Sequence, residues 1–334
     1  MTTLDRPRAP DQPDQLEYSL FGLSPHTHRP HPLHDPGRTY AETNCYSDVL
    51  VELVHARGDE PLACLVCVLE LDFEGDQLTF FKPEPHLLRA LYGLDVHEMQ
   101  SYRSLVAHAV EQLQRGASLL VEVDGWFLPD TAATSYGREH VKTTIALEAV
   151  DEARQRAHYF HNGGLHLLAG ADFRGALRVD VEPGSVLLPP YTELARWSGV
   201  ALTGNALRRA SAAAARQVLA RRPVVNPFLA LGERLPRELE WLAAGSPDRA
   251  SAYAFATARM GGSAAGVAAA YAAWLLGERG DAAQQAFDRV GAACKTLSFR
   301  LARRRPFDAA PLIGAAARDW DEALRALASA LPVD

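Results

Sequence analysis

The chain has 334 residues, a hydrophobic content of 48% and a formal net charge of −7 at pH 7. This length suffices for one large folded domain or two ordinary ones, and the acidic balance argues against nonspecific nucleic-acid binding, which needs a basic surface. The four cysteines show no evenly spaced framework, which indicates reduced thiols in the cytoplasm. The N-terminus lacks the apolar core of a signal peptide, so no export is expected.

Residues 1–38 are predicted to form an extended arm along the surface. They include seven prolines, which oppose regular structure, and four histidines between His26 and His34. The histidines could bind a metal, but no cysteine or carboxylate pair accompanies them at a fixed spacing. A solvated arm is therefore the favoured interpretation, and no metal site is predicted.

A helix is predicted to begin at Cys45. Thr43 or Asn44 can cap its N-terminus, the apolar residues at 49, 50, 53 and 54 have helical spacing, and Gly58 can end it. A thiol at this position feels the positive end of the helix dipole, which favours the thiolate over the thiol. Cys45 is therefore a candidate nucleophile, although a cysteine is more often a small buried hydrophobic residue.

The pattern predicts an α+β domain over residues 39–200. After the Cys45 helix come apolar stretches and two helical segments, and then the strands of an antiparallel sheet. The predicted helices cover 85–92 and 104–115, and the predicted strands cover 78–81, 118–124, 141–150 and 156–161. Cys64 and Cys67 lie in an apolar run, so they are interpreted as two buried thiols on one helix rather than as a redox motif.

Residues 201–334 are predicted to form a helical domain. This part is rich in alanine, and amphipathic stretches at 226–244, 282–301 and 320–331 are separated by breaks. The uncharged run 260–277 is interpreted as a buried helix rather than a membrane span, because it is mostly Ala and Gly with charges at its ends. A basic run contains Arg300, Arg303, Arg304 and Arg305; it suits an acidic carrier protein, or it is a solvated helix end.

All twelve histidines lie at or before position 166, so acid–base chemistry is expected in the first half of the chain. A thiolate nucleophile needs a base and a group that orients the base. His140 opens a predicted strand, and Asn162 ends the next one. The hairpin could bring Asn162 beside His140, which would give a Cys-His-Asn set. Asn-Gly-Gly at 162–164 is also a turn signal.

Four motifs carry a resemblance to a known family. They are Asn44-Cys45-Tyr46-Ser47-Asp48, the stretch from Val121 to Pro129, His140-Val141-Lys142-Thr143-Thr144 and Tyr159-Phe160-His161-Asn162. In these motifs the chain resembles a bacterial family of unknown function. That family is similar to the N-terminal domain of the butirosin biosynthesis acyltransferase called protein H, and more distantly to double-glycine leader peptidases and the papain-like cysteine fold. The resemblance to the acyltransferase covers residues 40–175.

The resemblance implies a papain-like fold and a cysteine-dependent acyl or aminoacyl transferase. Cys45 would take an acyl group from a carrier-protein thioester, with His140 as base, and pass it to a small-molecule amine. The orienting residue would be Asn162 or Asp124, and Asp124 could equally be a turn former. No glutamine lies a few residues upstream of Cys45, where the peptidases have one for the oxyanion hole. The expected partner is a carrier protein whose phosphopantetheine belongs to the substrate, with no separate cofactor, nucleic acid or membrane.

Other residues and functions remain open at this point. Asn44 and the backbone of Cys45 are candidate oxyanion donors, Tyr46 and Lys142 are candidate substrate contacts, and His161 is interpreted as structural or supporting. A solvated strand lysine is the simpler interpretation of Lys142. A cysteine peptidase or amidase of the same fold is an alternative function, and so is a non-catalytic binding protein.

Overall fold

A computed structural model describes residues 15–181 and 188–332. Residues 1–14 of the predicted arm lie outside the described residues. The chain divides into two compact units. Unit 1 consists of residues 1–29 and 97–196, and unit 2 consists of residues 30–96 and 197–334.

Unit 1 is built on an antiparallel sheet with the strand order β2-β7-β3-β4-β5-β6, and β1 pairs with β4. The chain passes from unit 2 into unit 1 within β2. The central pair β3 and β4 aligns Val121 with Ile145 and Asp124 with Lys142. The strands are β1 Tyr18–Ser19, β2 Leu94–Glu98, β3 Ala117–Asp124, β4 Lys142–Asp151, β5 Arg156–His161, β6 Gly164–Ala169 and β7 Thr192–Trp197.

One face of this sheet forms the core of unit 1. Alternate residues of β3 and β4, including Val121, Val123, Ile145 and Leu147, point to this face because successive side chains of a strand alternate sides. Two helices of unit 1, Leu105–Gln114 and Gly170–Ala176, add buried residues to the same core. The predicted α+β class is confirmed.

Unit 2 is mainly helical. A 3-10 segment, Pro61–Glu70, packs against the first helix and against two of the C-terminal helices, α5 and α8. The predicted division at residue 200 separates these elements, whereas their packing places them in one unit. The α-helices of the described residues are α1 Cys45–Ala56, α2 Pro85–Tyr92, α3 Leu105–Gln114, α4 Gly170–Ala176, α5 Gly204–Arg221, α6 Pro227–Ala244, α7 Pro247–Ala254, α8 Met260–Leu276, α9 Asp281–Ala302 and α10 Ala310–Ala330.

The small residues of α8 allow close packing inside unit 2. A Cβ added to Gly262 would lie 2.1 Å from the Tyr40 hydroxyl oxygen, so only glycine fits beside that ring. The helical stretch Pro247–Ala302 has the length and mean hydropathy, 1.2, to cross a membrane, but 72% of its apolar window is buried inside the protein. Such burial is typical of the core helix of a soluble protein, as the sequence interpretation of this run expected.

The described part of the N-terminal arm is packed rather than solvated. The backbone N–H of His31 donates to Glu52 Oε1 at 2.9 Å, and His34 Nε2 lies 3.5 Å from the same oxygen. Glu52 is fully buried within α1, and a buried carboxylate requires polar partners. The histidines therefore supply contacts to a carboxylate that the helix buries, which composition alone does not reveal.

Candidate active site

The thiol of Cys45 lies at the first residue of α1, as the sequence predicts. Asn44 is the N-cap, with extended backbone angles of φ −140° and ψ 146°. Its side-chain Oδ1 accepts from the backbone N–H of Ser47 at 2.9 Å, which satisfies one of the free donors of the first turn. Cys45 is a half-buried free cysteine, so its thiol is close to the positive end of the helix dipole and reachable by solvent.

The side chain of Asn44 is committed to holding this turn. Besides capping α1, it donates from Nδ2 to the carbonyl oxygen of Phe81 at 3.1 Å, and the residue is only 3% exposed. These two hydrogen bonds fix the amide as a structural cap. An oxyanion role for the Asn44 side chain would therefore compete with an existing hydrogen bond.

Asp48 and Tyr46 complete the surroundings of the helix start. Asp48 Oδ2 accepts from the backbone N–H of Thr43 at 2.8 Å, and Oδ1 accepts from its hydroxyl at 2.5 Å. Burial raises the pKa of Asp48 to about 6 despite these bonds and the nearby His34. Tyr46 is buried, and Lys82 Nζ lies 4.2 Å from its ring centroid. Tyr46 thus contacts a cation and helps to place Lys82 near the start of α1.

His140 forms a pair with Asp124 in unit 1. Nδ1 of His140 donates to Oδ2 of Asp124 at 2.6 Å, and the ring stacks on Trp126 with centroids 4.6 Å apart and planes 11° apart. The His140 side chain is 72% exposed. With Nδ1 bound to a carboxylate, the neutral imidazole carries its lone pair on Nε2. The arrangement presents an oriented proton acceptor to solvent.

The turn after β3 explains why this pair forms. Asp124 ends the strand, and its second oxygen, Oδ1, accepts from the backbone N–H of Trp126 at 3.0 Å. Gly125 donates its N–H to the carbonyl oxygen of Val141 at 2.8 Å, which ties the turn to the residue after His140. Asp124 therefore bonds the turn through Oδ1 and His140 through Oδ2.

The packing of Phe127, the residue after Trp126, fixes the turn after β3 further. The ring of Phe127 lies directly on Gly175 of α4, where a Cβ would be 2.3 Å from Phe127 Cδ1. Only a glycine permits this approach. The turn after β3 carries Trp126 and bonds Val141, the residue after His140. It is therefore anchored to the core of unit 1.

Asn162 and Lys142 lie at different places on the same sheet, and Lys142 is the register partner of Asp124. Asn162 has a φ of +47° in the turn between β5 and β6, a left-handed conformation that asparagine tolerates. The hydrogen-bond partner of His140 Nδ1 is Asp124, one of the two residues predicted to orient His140; the other was Asn162. Lys142 Nζ donates to Glu122 Oε1 at 2.9 Å across β3 and β4.

A second histidine–aspartate pair was missed by sequence reasoning. His161 Nδ1 donates to Asp130 Oδ2 at 2.6 Å, and His161 Nε2 lies 2.7 Å from the Thr143 hydroxyl, which donates to it in the neutral tautomer. The hydroxyl of Tyr159 donates to the other Asp130 oxygen. Burial alone would raise the pKa of Asp130, but the hydrogen bond from His161 holds the pKa below its usual value.

The other cysteines differ from Cys45. Cys64, Cys67 and Cys294 are all buried, and burial raises the pKa of Cys64 and of Cys294 to about 12. The Pro61–Glu70 segment carries Cys64 and Cys67 on one 3-10 helix, in agreement with the buried-thiol interpretation. Across residues 15–181 and 188–332, no group of three or more His, Cys, Asp or Glu side chains is arranged to hold a metal ion.

The predicted site residues therefore fall into two sets. Unit 1 holds His140, Asp124, Lys142 and Asn162, and unit 2 holds Cys45, Asn44 and Tyr46.

Comparison with known families gives two matches that follow each other along the chain. A family model described as the DUF1839 N-terminal domain matches residues 29–197, and one described as the DUF1839 C-terminal domain matches residues 204–329. The boundary between the two matches lies near residue 200. No curated protein matches the chain.

Proposed function

The chain belongs to the DUF1839 family, a family of unknown function, and we propose that it is a cysteine-dependent acyl or aminoacyl transferase. Its donor is a carrier-protein thioester, and its acceptor is a small-molecule amine. The proposal extends to a papain-like ancestry shared with butirosin protein H, on the motifs around Cys45, Asp124 and His140. It places the protein in the cytoplasm, since all four cysteines are free.

The observation that carries the proposal is the His140–Asp124 pair. A carboxylate on Nδ1 and an aromatic ring on one face hold the imidazole in a single orientation, while Nε2 stays accessible at a side chain that is 72% exposed. A structural histidine normally uses both ring nitrogens in buried bonds, as His161 does. An oriented base with one free nitrogen is what a thiol nucleophile needs.

The proposed reaction has two steps. In the first, the Cys45 thiolate attacks the thioester carbonyl, the carbon–sulfur bond to pantetheine breaks, and the leaving sulfur takes the proton that His140 received from the thiol. In the second, the amine attacks the acyl-cysteine, a carbon–nitrogen bond forms, and the Cys45–acyl bond breaks. The amine loses a proton through His140, which returns it to the Cys45 sulfur.

Each further residue has an assigned role. Asp124 orients His140 and stabilises the imidazolium that forms during proton transfer. Backbone N–H groups in the first turn of α1 stabilise the oxyanion, and Asn44 supports that turn as its cap. Tyr46 and Lys142 contact substrate, while Asn162 is a turn residue.

A mass-spectrometric experiment tests the proposal. The protein is mixed with a phosphopantetheinylated carrier protein that bears an acyl group, and the intact mass is recorded. We expect one acyl increment on Cys45, absent in Cys45→Ala and retained in Cys64→Ala, a matched control because the Cys64 thiol is buried. Failure of every acyl-loaded carrier and small thioester to label Cys45 would reject the proposal in favour of a binding protein.

Product analysis separates the transferase from a peptidase or amidase. A transferase releases its acyl group as an amide, and the rate of release rises with amine concentration. A hydrolase releases free acid at the same rate with and without amine.

A further inference from the structure

Unit 2 carries a cluster of arginines and exposed aromatic rings where α6 and α9 end. We name it the arginine–aromatic patch and define it by Trp241, Arg249, Phe299, Arg303, Arg304 and Arg305. The rings of Trp241 and Phe299 are 49% and 57% exposed, which is unusual for large aromatic side chains. Arginine and aromatic residues are the types that concentrate binding energy at protein interfaces.

Two of the arginines build the patch by capping α6. The last carbonyl groups of a helix have no partner within the helix. Arg304 donates from Nη2 to the carbonyl oxygen of Ala243 at 3.0 Å and also to that of Gly245, and Arg249 donates from Nη1 to that of Trp241 at 3.1 Å. These bonds bring the segment after α9 to the C-terminus of α6.

The guanidinium groups also lie on the aromatic rings. Arg249 is centred 4.4 Å from the Trp241 ring, and Arg303 is centred 4.2 Å from the Phe299 ring. A cation over an aromatic face holds the long arginine side chain in place, which lowers the entropy cost of binding a partner. Arg249, Arg303 and Arg304 are therefore held by contacts within unit 2.

The other arginines of the patch differ from arginines elsewhere in unit 2 in their ion pairs. Elsewhere in unit 2, arginines pair with acids: Arg221 with Glu70 and Glu84, and Arg289 with Asp319 and Glu322. No such ion pair involves Arg300, Arg303 or Arg305 within the described part of the chain.

Exposed Glu240 directly precedes Trp241 in α6, whereas two other acids near the patch in sequence lie at helix starts. Asp308 Oδ1 accepts from the backbone N–H of Ala310 at 3.0 Å, and Asp248 lies in the first turn of α7. The whole chain has a net charge of −7, so arginines without ion pairs form a local region of positive charge. Such a region attracts an acidic partner and speeds its association.

We infer that the arginine–aromatic patch is the docking surface for the acidic carrier protein that delivers the acyl group. The inference rests on the proposed function and names the partner surface for it. Arg303 and Arg305 contact acidic side chains of the carrier or the phosphate diester of its pantetheine arm, while the rings of Trp241 and Phe299 supply apolar contact area.

Two acyl donors test this inference on the full-length protein. One is the acyl-loaded carrier protein, and the other is the same acyl group on N-acetylcysteamine, which lacks the carrier and the phosphate. The test variant is Arg303→Glu with Arg305→Glu. The control is Arg209→Glu with Arg325→Glu, which makes the same change in net charge at exposed positions on α5 and α10.

We expect the test variant to be acylated by the carrier protein about tenfold more slowly at low salt, with the control at the wild-type rate. Added salt should slow the wild type toward the variant, because ions screen exposed charges. Acylation by the small thioester should be unchanged in both variants, which also shows that they are folded. A milder variant, Arg303→Gln with Arg305→Gln, should give an intermediate rate.

A test variant that matches the wild type with the carrier protein would overturn the docking surface and leave the proposed function intact. Equal slowing by the test and control variants would overturn it too, because net charge would then be the cause. A wild-type protein that neither donor acylates would reject the proposed function itself, so the two failures are distinguishable.

Discussion

Unit 1 contains two histidine–aspartate pairs with the same hydrogen bond and opposite exposure. In each, Nδ1 donates to a carboxylate oxygen at 2.6 Å. The His140 and Asp124 side chains are 72% and 34% exposed, whereas those of His161 and Asp130 are 2% and 8% exposed. The distance alone therefore does not distinguish a candidate base from a structural pair.

The second ring nitrogen makes the difference. Nε2 of His161 is occupied by the Thr143 hydroxyl, and Asp130 also accepts from Tyr159. That network joins the segment after Leu128 to β4 and β5, with its polar groups satisfied inside the protein. The His140 side chain is instead mostly exposed, with an indole stacked on its ring. We infer that the buried pair stabilises the unit and that the exposed pair transfers protons.

The largest expected effect on stability is at the buried pair. Asp130→Ala should lower the free energy of unfolding by about 3–5 kcal/mol, because it leaves His161 buried without its carboxylate. Asp124→Ala is the matched control and should cost about 1 kcal/mol or less, since exposed pairs contribute little. Urea unfolding measures both. Equal losses would contradict the division between the two pairs.

A smaller loss is expected when the far side of the buried pair is removed. Thr143→Val keeps the shape of the side chain but deletes the hydroxyl that bonds His161 Nε2. The unpaired buried nitrogen should cost about 1–3 kcal/mol in unfolding free energy. Thr144→Val, one residue along β4, is the control for the change of chemistry. A Thr143 variant as stable as the wild type would show that the network is not needed.

Loss of the stacked indole should affect the exposed pair more in rate than in stability. Trp126→Ala removes the ring on His140 and should cost about 1 kcal/mol or less in unfolding free energy. The His140 ring would then be held by Asp124 alone, so the rate of Cys45 acylation should fall. Trp126→Phe should restore most of that rate. If both variants react at the wild-type rate, the stacking has no role in orienting His140.

The smallest signal is the pH dependence of the buried pair. Asp130 has a pKa below its usual value in the folded state, so the wild type gains stability from it above the unfolded carboxyl pKa of about 4. That gain is lost as pH falls through the folded pKa. The difference in unfolding free energy between the wild type and Asp130→Asn should therefore shrink as the pH falls below about 4. A difference that widens in acid would contradict the sign.

Local sequence patterns were sufficient to predict three strands of the sheet and the first helix. Alternating apolar residues predicted β3, β4 and β5, and an N-cap with helical spacing predicted α1. Helix α10 begins at Ala310, ten residues before the predicted 320, because a proline in the first turn does not interrupt a helix.

Contacts between residues far apart in the sequence could not be predicted from such local patterns. Asp130 and His161 are 31 positions apart, and their pairing depends on the register of β4 and β5 and on the turn after Asp124. The choice between Asp124 and Asn162 also needed the turn geometry, since both ended predicted strands. The burial of His31 and His34 depends on Glu52 within α1, and no local pattern in the arm reports that carboxylate.

The role of His140 as general base is tested most directly by comparing His140→Gln with the wild type. The reaction measured is the acylation of Cys45 by an acyl N-acetylcysteamine thioester. Stopped samples analysed by intact mass give the rate, and urea unfolding gives the stability of each protein. For His140→Gln we expect a rate lower by about 10²–10⁴-fold, the range for loss of a general base, with the unfolding free energy changed by about 1 kcal/mol or less. An acylation rate equal to the wild type would contradict the assignment of His140 as the base.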